Sequence, residues 1–207
     1  MLGTLKRMSS TGRAVIGRPR GFDADAALDR ALEVFWRQGY EGASLSDLTE
    51  AMGINKTSMY AAFGNKRDLF GKVLARYAAV DMAYARDALA APTARKVAET
   101  FLRENAKAVT MPGRPPGCLS IQGGLSCGPD NAEVTETLAQ ARKGGEVAMR
   151  DRFRRAIEDG DLAPENDPDD LARYVMTVSE GLAVHASAGA TREELARAVE
   201  IALRAFP

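Results

Sequence analysis

The chain has 207 residues, 45% of them hydrophobic and 27% charged, with 28 basic and 28 acidic side chains. This composition is typical of a globular protein with a hydrophobic core. No stretch approaches the roughly 18 apolar residues that a membrane helix needs, and two cysteines are too few for a disulfide framework. The zero net charge creates no overall basic field for nucleic acid, but the first 20 residues contain five basic side chains and no acidic one.

The basic amino-terminal segment, residues 1–21, is polar and interrupted by glycines, so we expect a flexible arm. Arg18 and Arg20 flank a proline that keeps the backbone extended. Such a segment can lie in a narrow, negative minor groove. The alternative is a solvated tail without a ligand.

A first helix is predicted from the cap Asp23 to Gly39, and a tight helix pair follows it. Ser44 and Asp47 have capping-box spacing and open the second helix, which Gly53 ends. Asn55 can cap a third helix with hydroxyl groups and a lysine in its first turns. Two helices joined by a short glycine turn are typical of a helix-turn-helix, although a helical hairpin without a DNA function has the same pattern.

The order of residues in this pair resembles the signature of TetR-type transcriptional regulators. Ile54 follows the glycine of the turn, Tyr60 and Phe63 form a Tyr-x-x-Phe, and Lys66 and Leu69 form a Lys-x-x-Leu. The pattern covers about a quarter of the chain. The chain departs from it at four positions: Thr49 and Asn55 replace the more frequent alanine and serine, and Ala61 and Ala62 replace bulkier residues.

The resemblance implies contacts to double-stranded DNA from the arm and the helix pair. Lys66 lies in the first turn of the next helix, where a cation opposes the helix dipole, and a DNA phosphate would account for its position. The candidate DNA-binding residues are Arg18, Arg20, Ser44, Asn55, Lys56, Thr57, Ser58, Tyr60 and Lys66.

The remaining sequence predicts further helices and no strands. A long fourth helix should run from the cap Asn65 through Tyr84, and others should begin after Thr93, Asp167 and Thr191. We therefore expect an all-α fold of about nine helices, in which a three-helix head is joined by a long helix to an orthogonal-type helical bundle. The predicted division is the arm (1–21), the DNA-binding domain (22–70) and a ligand-binding and dimerisation domain (71–207).

Cys118 and Cys127 flank an irregular, glycine- and proline-rich segment. They are either free thiols that pack as small hydrophobic groups or a thiol sensor, because some TetR-type regulators that respond to electrophiles or oxidants have a similar Gly-Cys-Leu sequence. The resemblance also implies an effector pocket, for which the candidates are Phe101, Cys118, Met149, Phe153 and Tyr174.

The last two helices are apolar on more than one side and should pack against another copy of the chain. TetR-type proteins dimerise in this way, and a dimer matches a pseudo-palindromic operator. The candidate interface residues are Tyr174, Val178, Leu182, His185, Leu195, Val199 and Leu203.

The function predicted first is a cytoplasmic, homodimeric regulator, a repressor that a small molecule or thiol modification releases from its operator. The single histidine and the two cysteines do not have the spacing of metal ligands, so we expect no metal site. We also expect no cofactor and no membrane partner. A small thiol enzyme that uses Cys118 and Cys127 is the alternative, although no obvious base accompanies them. A DNA-binding protein without a ligand is a third possibility.

Overall fold

The computed structural model describes residues 21–124 and 127–207, and these ranges are helical, without strands. The expected all-α fold is therefore confirmed, whereas Arg18 and Arg20 of the predicted arm lie outside the described residues. The ten α-helices of the described ranges are α1 Ala24–Gly42, α2 Leu45–Met52, α3 Lys56–Phe63, α4 Lys66–Val80, α5 Ala83–Leu89, α6 Ala94–Ala108, α7 Leu119–Gln122, α8 Ala132–Glu158, α9 Pro168–Ser187 and α10 Arg192–Ala205, and a short 3-10 helix, Pro129–Asn131, precedes α8.

The helices begin at the predicted caps. The Ser44 hydroxyl accepts a hydrogen bond from the Asp47 backbone N–H at 3.0 Å, and the Asp47 carboxylate accepts one from the Ser44 N–H at 3.1 Å. The Asn55 side chain accepts from the Ser58 N–H at 2.8 Å. These bonds satisfy amides that a helix start leaves free, which is why the cap residues fix the boundaries. Equivalent caps are made by Asn65, Thr93, Asp167 and Thr191.

Helices α1 to α3 form a compact head that packs on α4 through aromatic rings. The ring centroids of Phe35 and Phe70 are 4.9 Å apart, and those of Tyr40 and Phe70 are 5.1 Å apart, both edge to face. On the outside of the same helix pair, the Arg76 guanidinium donates two hydrogen bonds to the Asp29 carboxylate at 2.9 and 3.0 Å. The head and the first turns of α4 are thus a single packed unit.

The predicted length of the fourth helix is wrong. It ends at Val80, and the chain turns at Asp81 and Met82 before α5 begins. The Arg86 guanidinium folds back and donates to the carbonyls of Ala78 and Ala79 at 3.1 and 3.0 Å, so the open end of α4 is satisfied. The additional break gives ten α-helices in the described ranges instead of about nine.

Helices α5 to α10 form the body of the molecule. Helix α8 packs along α9, α6 packs against α5, α9 and α10, and the four-residue α7 lies between α1 and α8. None of the helices in the described ranges is both long and apolar enough to cross a membrane.

Candidate DNA-binding surface and ligand cavity

Helix α3 has one buried side and one free side. Met59 and Phe63 are buried against the rest of the head, whereas Lys56, Thr57 and Tyr60 are exposed to solvent. Of the other predicted contacts in this region, Ser58 is half-buried, and Ser44 and Asn55 are exposed cap residues whose oxygens accept backbone hydrogen bonds. The structure therefore brings six of the nine predicted contacts, from the start of α2 and from α3, onto the head.

One backbone conformation and two hydrogen bonds hold α3 at a fixed angle to the head. Gly53 has a positive φ of 67°, which L-residues with a side chain rarely adopt, and this conformation turns the chain from α2 into α3. The Arg30 guanidinium donates to the Met52 carbonyl at 3.1 Å, and the Lys72 ammonium donates to the Phe63 carbonyl at 3.0 Å. The last residues of α2 and of α3 are thus each tied to a neighbouring helix, as a rigid recognition element requires.

Lys66 has partners within the chain. Its ammonium nitrogen lies 4.5 Å from the centroid of the Tyr40 ring, a cation–π distance. Burial lowers the pKa of the Lys66 ammonium, and the nearby Glu41 carboxylate acts in the opposite direction. The position that sequence reasoning explained by a phosphate thus also has an explanation inside the protein.

A largely apolar cavity of about 220 Å³ lies in the body beneath the head. Of the predicted pocket residues, Phe101, Cys118 and Met149 line it, but Phe153 and Tyr174 do not. The Phe153 ring packs on Phe206, with the centroids 5.3 Å apart, and the Tyr174 hydroxyl donates to the Ala202 carbonyl at 2.8 Å. Both side chains are on the same helices as cavity residues but point toward α10.

Sequence reasoning missed most of the polar groups of this cavity. They are contributed by residues of five helices: Tyr77, Asn105, Ser120, Arg142, Ser179 and Glu180. Of these residues, Asn105 could have been predicted from the sequence, because its amide lies one helical turn after Phe101, on the inward side of α6. Burial raises the pKa of the Glu180 carboxyl, whereas Arg142 lowers it.

The two cysteines occupy different environments. Cys118 is buried at the cavity wall, where the Tyr77 hydroxyl donates to its sulfur at 3.1 Å and Ser120 Oγ lies 3.0 Å from it. Burial raises the pKa of the Tyr77 hydroxyl well above its ordinary value. Cys127 is half-buried outside this cavity, and burial followed by the Glu41 carboxylate raises the pKa of its thiol.

Helix α7 connects the cavity to the head. Ser120 and Ile121 of this helix line the cavity, and the carbonyl of Gly123 at its end accepts a hydrogen bond from the Tyr40 N–H of α1 at 2.9 Å. Beyond α7, the Glu41 carboxylate accepts from the Gly128 N–H at 2.6 Å and from the Asn131 amide at 2.9 Å. A displacement of α7 would therefore move or break the hydrogen bond at the end of α1.

The predicted dimer contacts divide into two groups. Leu182, Leu195, Val199 and Leu203 are buried within the single chain, because α9 and α10 turn these side chains toward α6 and each other, so they cannot also contact a second copy. His185 is exposed, and Tyr174 and Val178 are half-buried. A different strip of α9 and α10 is exposed or half-buried: Thr177, Gly181, Val184, Ala188, Ala198, Ile201 and Ala205.

Among the residues that the structure describes, no three histidine, cysteine or acidic side chains are grouped so that they could hold a metal ion. The free face of α3, the turn at Gly53 before it and the largely apolar cavity in the body define a helix-turn-helix DNA-binding protein.

Comparison with known proteins gives the family. Residues 27–73 match "Bacterial regulatory proteins, tetR family", and residues 95–202 match "Tetracyclin repressor-like, C-terminal domain". The chain is 33% identical over 195 residues to the HTH-type transcriptional repressor ComR of Escherichia coli, covering 92% of each chain. The chain belongs to the TetR family of DNA-binding transcriptional regulators, which are not enzymes, and the alternative of a thiol enzyme is wrong.

Two solved structures are similar to this chain. A cysteine mutant of the TetR family regulator CifR, complexed with 26-bp double-strand operator DNA, is 46% identical and has a TM-score of 0.88, with 92% of this chain and 100% of that chain covered. A putative TetR regulator from Rhodococcus sp. RHA1 is 45% identical, with a TM-score of 0.61 and coverage of 87% and 97%. The confirmed fold is therefore that of the family.

Proposed function

We propose that this chain is a cytoplasmic repressor that binds a pseudo-palindromic operator as a homodimer and leaves it when a small molecule occupies the apolar cavity. The observation that carries the proposal is α7, which is both a wall of the cavity and a hydrogen-bond partner of the head through Gly123 and Tyr40. A ligand that displaces α7 changes the angle of the head, and with it the separation of two heads on DNA. The repressor name of ComR and the operator complex of CifR support this proposal.

The test of DNA binding is selection of duplex sequences by the full chain, followed by titration of the selected operator. We expect Tyr60→Ala to weaken operator binding by about tenfold or more, because a lost base contact costs about 1–3 kcal/mol. Val80→Ala is the matched control, since Tyr60 and Val80 are both 47% exposed and Val80 lies at the end of α4. Equal binding by the two variants would contradict the proposed docking of α3.

Thiol modification is a second proposed route of release, and Cys118 is its site. Cys118 lines the cavity, so a reagent that modifies its thiol from the cavity side occupies the space of an effector. We expect Cys118→Ser to abolish release of the operator by thiol reagents, measured by fluorescence anisotropy, and Cys127→Ser to leave it unchanged. An unaltered response in Cys118→Ser would remove this route while leaving ligand-controlled binding intact.

A further inference from the structure

A second, smaller cavity of about 170 Å³ adjoins the apolar one. The two cavities share part of their walls, because four residues line both: Tyr77, Met82, Asn105 and Cys118. The smaller cavity extends from these residues toward the head, where Trp36 of α1 forms part of its wall. The smaller cavity therefore lies between the larger one and a residue of the head, and Trp36 also lines a third cavity beside α1.

The smaller cavity contains unmatched hydrogen-bonding groups. Three buried side-chain polar atoms of the described residues have no hydrogen-bond partner, and two of them, the indole N–H of Trp36 and the amide Oδ1 of Asn105, belong to residues of this cavity. Trp36 is 3% exposed and Asn105 is 4% exposed, so bulk solvent does not satisfy either. The other amide atom of Asn105 donates to the Tyr84 hydroxyl at 2.9 Å. Buried polar groups are almost always paired, so one unpaired donor and one unpaired acceptor on residues of the same cavity are candidate partners for a bound group.

The charges of the smaller cavity favour a neutral group. Its two charged residues, Asp81 and Arg114, form an ion pair at 3.2 Å. Because each of these charges is already paired with the other, the smaller cavity offers no uncompensated partner for a charged group. The indole donates and the amide oxygen accepts, so the complementary group must accept one hydrogen bond and donate another. A hydroxyl does both with a single oxygen atom.

We infer that the effector is a small, uncharged, mainly apolar alcohol, whose hydroxyl lies between Trp36 and Asn105 and whose hydrocarbon part fills the larger cavity. This inference rests on the proposed function and names the chemical class of its ligand. It also gives the ligand a contact to the head, because Trp36 is part of α1 while Asn105 is part of α6. The larger cavity, about 220 Å³, is below the usual range of drug-sized sites, which limits the hydrocarbon part to a short chain or one ring.

The test compares isomers that differ only in hydrogen bonding. Benzyl alcohol and anisole have the same atoms, as do 1-hexanol and methyl pentyl ether, but only the alcohols donate a hydrogen bond; hexanoate is the charged comparison. Binding to the full chain is measured by calorimetry and by release of the selected operator. We expect each alcohol to bind roughly tenfold or more tightly than its ether, because the ether leaves the amide oxygen unpaired, and hexanoate to bind more weakly than 1-hexanol.

Two variants test the two residues separately. Asn105→Leu removes the oxygen to which only the alcohol can donate, so it should reduce the alcohol-over-ether ratio to about one. Trp36→Phe keeps an aromatic ring but removes the N–H from which alcohol and ether oxygens both accept, so it should weaken both ligands by a similar factor and leave the ratio unchanged. Thr49→Ala is the control for calorimetry, because Thr49 is a buried polar residue of α2 that lines neither cavity. If Asn105→Leu fails to fold, the joint loss of alcohol and ether affinity in Trp36→Phe decides; if Trp36→Phe fails to fold, the ratio in Asn105→Leu decides.

The outcomes separate this inference from the proposed function. A ratio that persists in Asn105→Leu, alcohol and ether affinities that are both unchanged in Trp36→Phe, an ether that equals its alcohol, or a wild-type chain that binds no alcohol would overturn the inference; in the last case the two groups hold water only. In each of these cases the wild-type chain still binds its operator. Failure to bind any selected duplex would instead overturn the proposed function.

Discussion

At the scale of single residues, the environment of each side chain decides which candidates remain available for DNA. Tyr60 and Thr57 are exposed on α3 and make no hydrogen bond within the described part of the chain through their side chains, so a duplex can use them without breaking a contact. Lys66 is different, because it must leave the Tyr40 ring before it can reach a phosphate. That movement costs only about 0.5–1 kcal/mol for a partly exposed cation–π pair, which a phosphate contact can offset.

Lys66→Ala tests whether this movement occurs. If the ammonium contacts one phosphate in the complex, we expect the slope of log K against log salt for the operator to fall by roughly one unit. The measurement is a series of operator titrations between low and moderate salt. Lys143→Ala is the matched control, since it removes the same charge from an exposed site in the middle of α8. Identical slopes for the two variants would leave Lys66 as an intramolecular partner of Tyr40 alone.

At the scale of helices, the sequence was sufficient wherever a boundary depends on neighbouring residues. The caps Ser44, Asn55 and Asn65 bond to amides two or three positions away, so their spacing alone fixes where α2, α3 and α4 begin. The end of α4 could not be predicted in this way. The apolar repeat continues to Tyr84 across the turn, and the break is stabilised by Arg86, whose role depends on how α5 folds back on α4.

The turn between α2 and α3 is the element on which the angle of the recognition helix depends. Because Gly53 has a φ of 67°, we expect Gly53→Ala to lower the free energy of unfolding by about 1–2 kcal/mol. Gly144→Ala is a contrasting control within α8, where an added Cβ meets nothing within 4 Å and the φ is helical. It should raise the free energy of unfolding by about 0.4–1 kcal/mol. Urea denaturation measures the free energy of unfolding of both variants. A change of the same sign in the two variants would contradict the role given to Gly53.

At the scale of the whole molecule, the sequence predicted that a cavity domain exists but not which side chains face it. Phe153 and Phe101 look equivalent in their helical repeats, and only the position of α10 turns Phe153 toward Phe206 and leaves Phe101 at the cavity. The same limit applied to the dimer surface. Periodicity identifies the apolar sides of α9 and α10, but a helix with two apolar sides has one for its own core and one for a partner. The predicted leucines of α10 proved to be core residues.

The strip that remains free on these two helices has the composition of a close helix–helix contact. Gly181 has open space where a Cβ would be, and Val184 and Ile201 are 49% and 61% exposed. Small residues let two helices approach, and the larger apolar ones lose water when they do. We therefore assign the proposed dimer contact to this strip of α9 and α10, the one that begins at Thr177 and ends at Ala205.

Val184→Glu should convert the dimer to a monomer. In a twofold interface the substitution occurs twice, so it buries two carboxylates that have no partner across the contact. We expect sedimentation equilibrium to show a single subunit and operator affinity to fall by about 10²- to 10⁴-fold, because each head then binds without the effective concentration supplied by the other. Val80→Glu is the control, since Val80 is 47% exposed on a different helix. A Val184→Glu chain that remains dimeric would show that the two copies meet through another face.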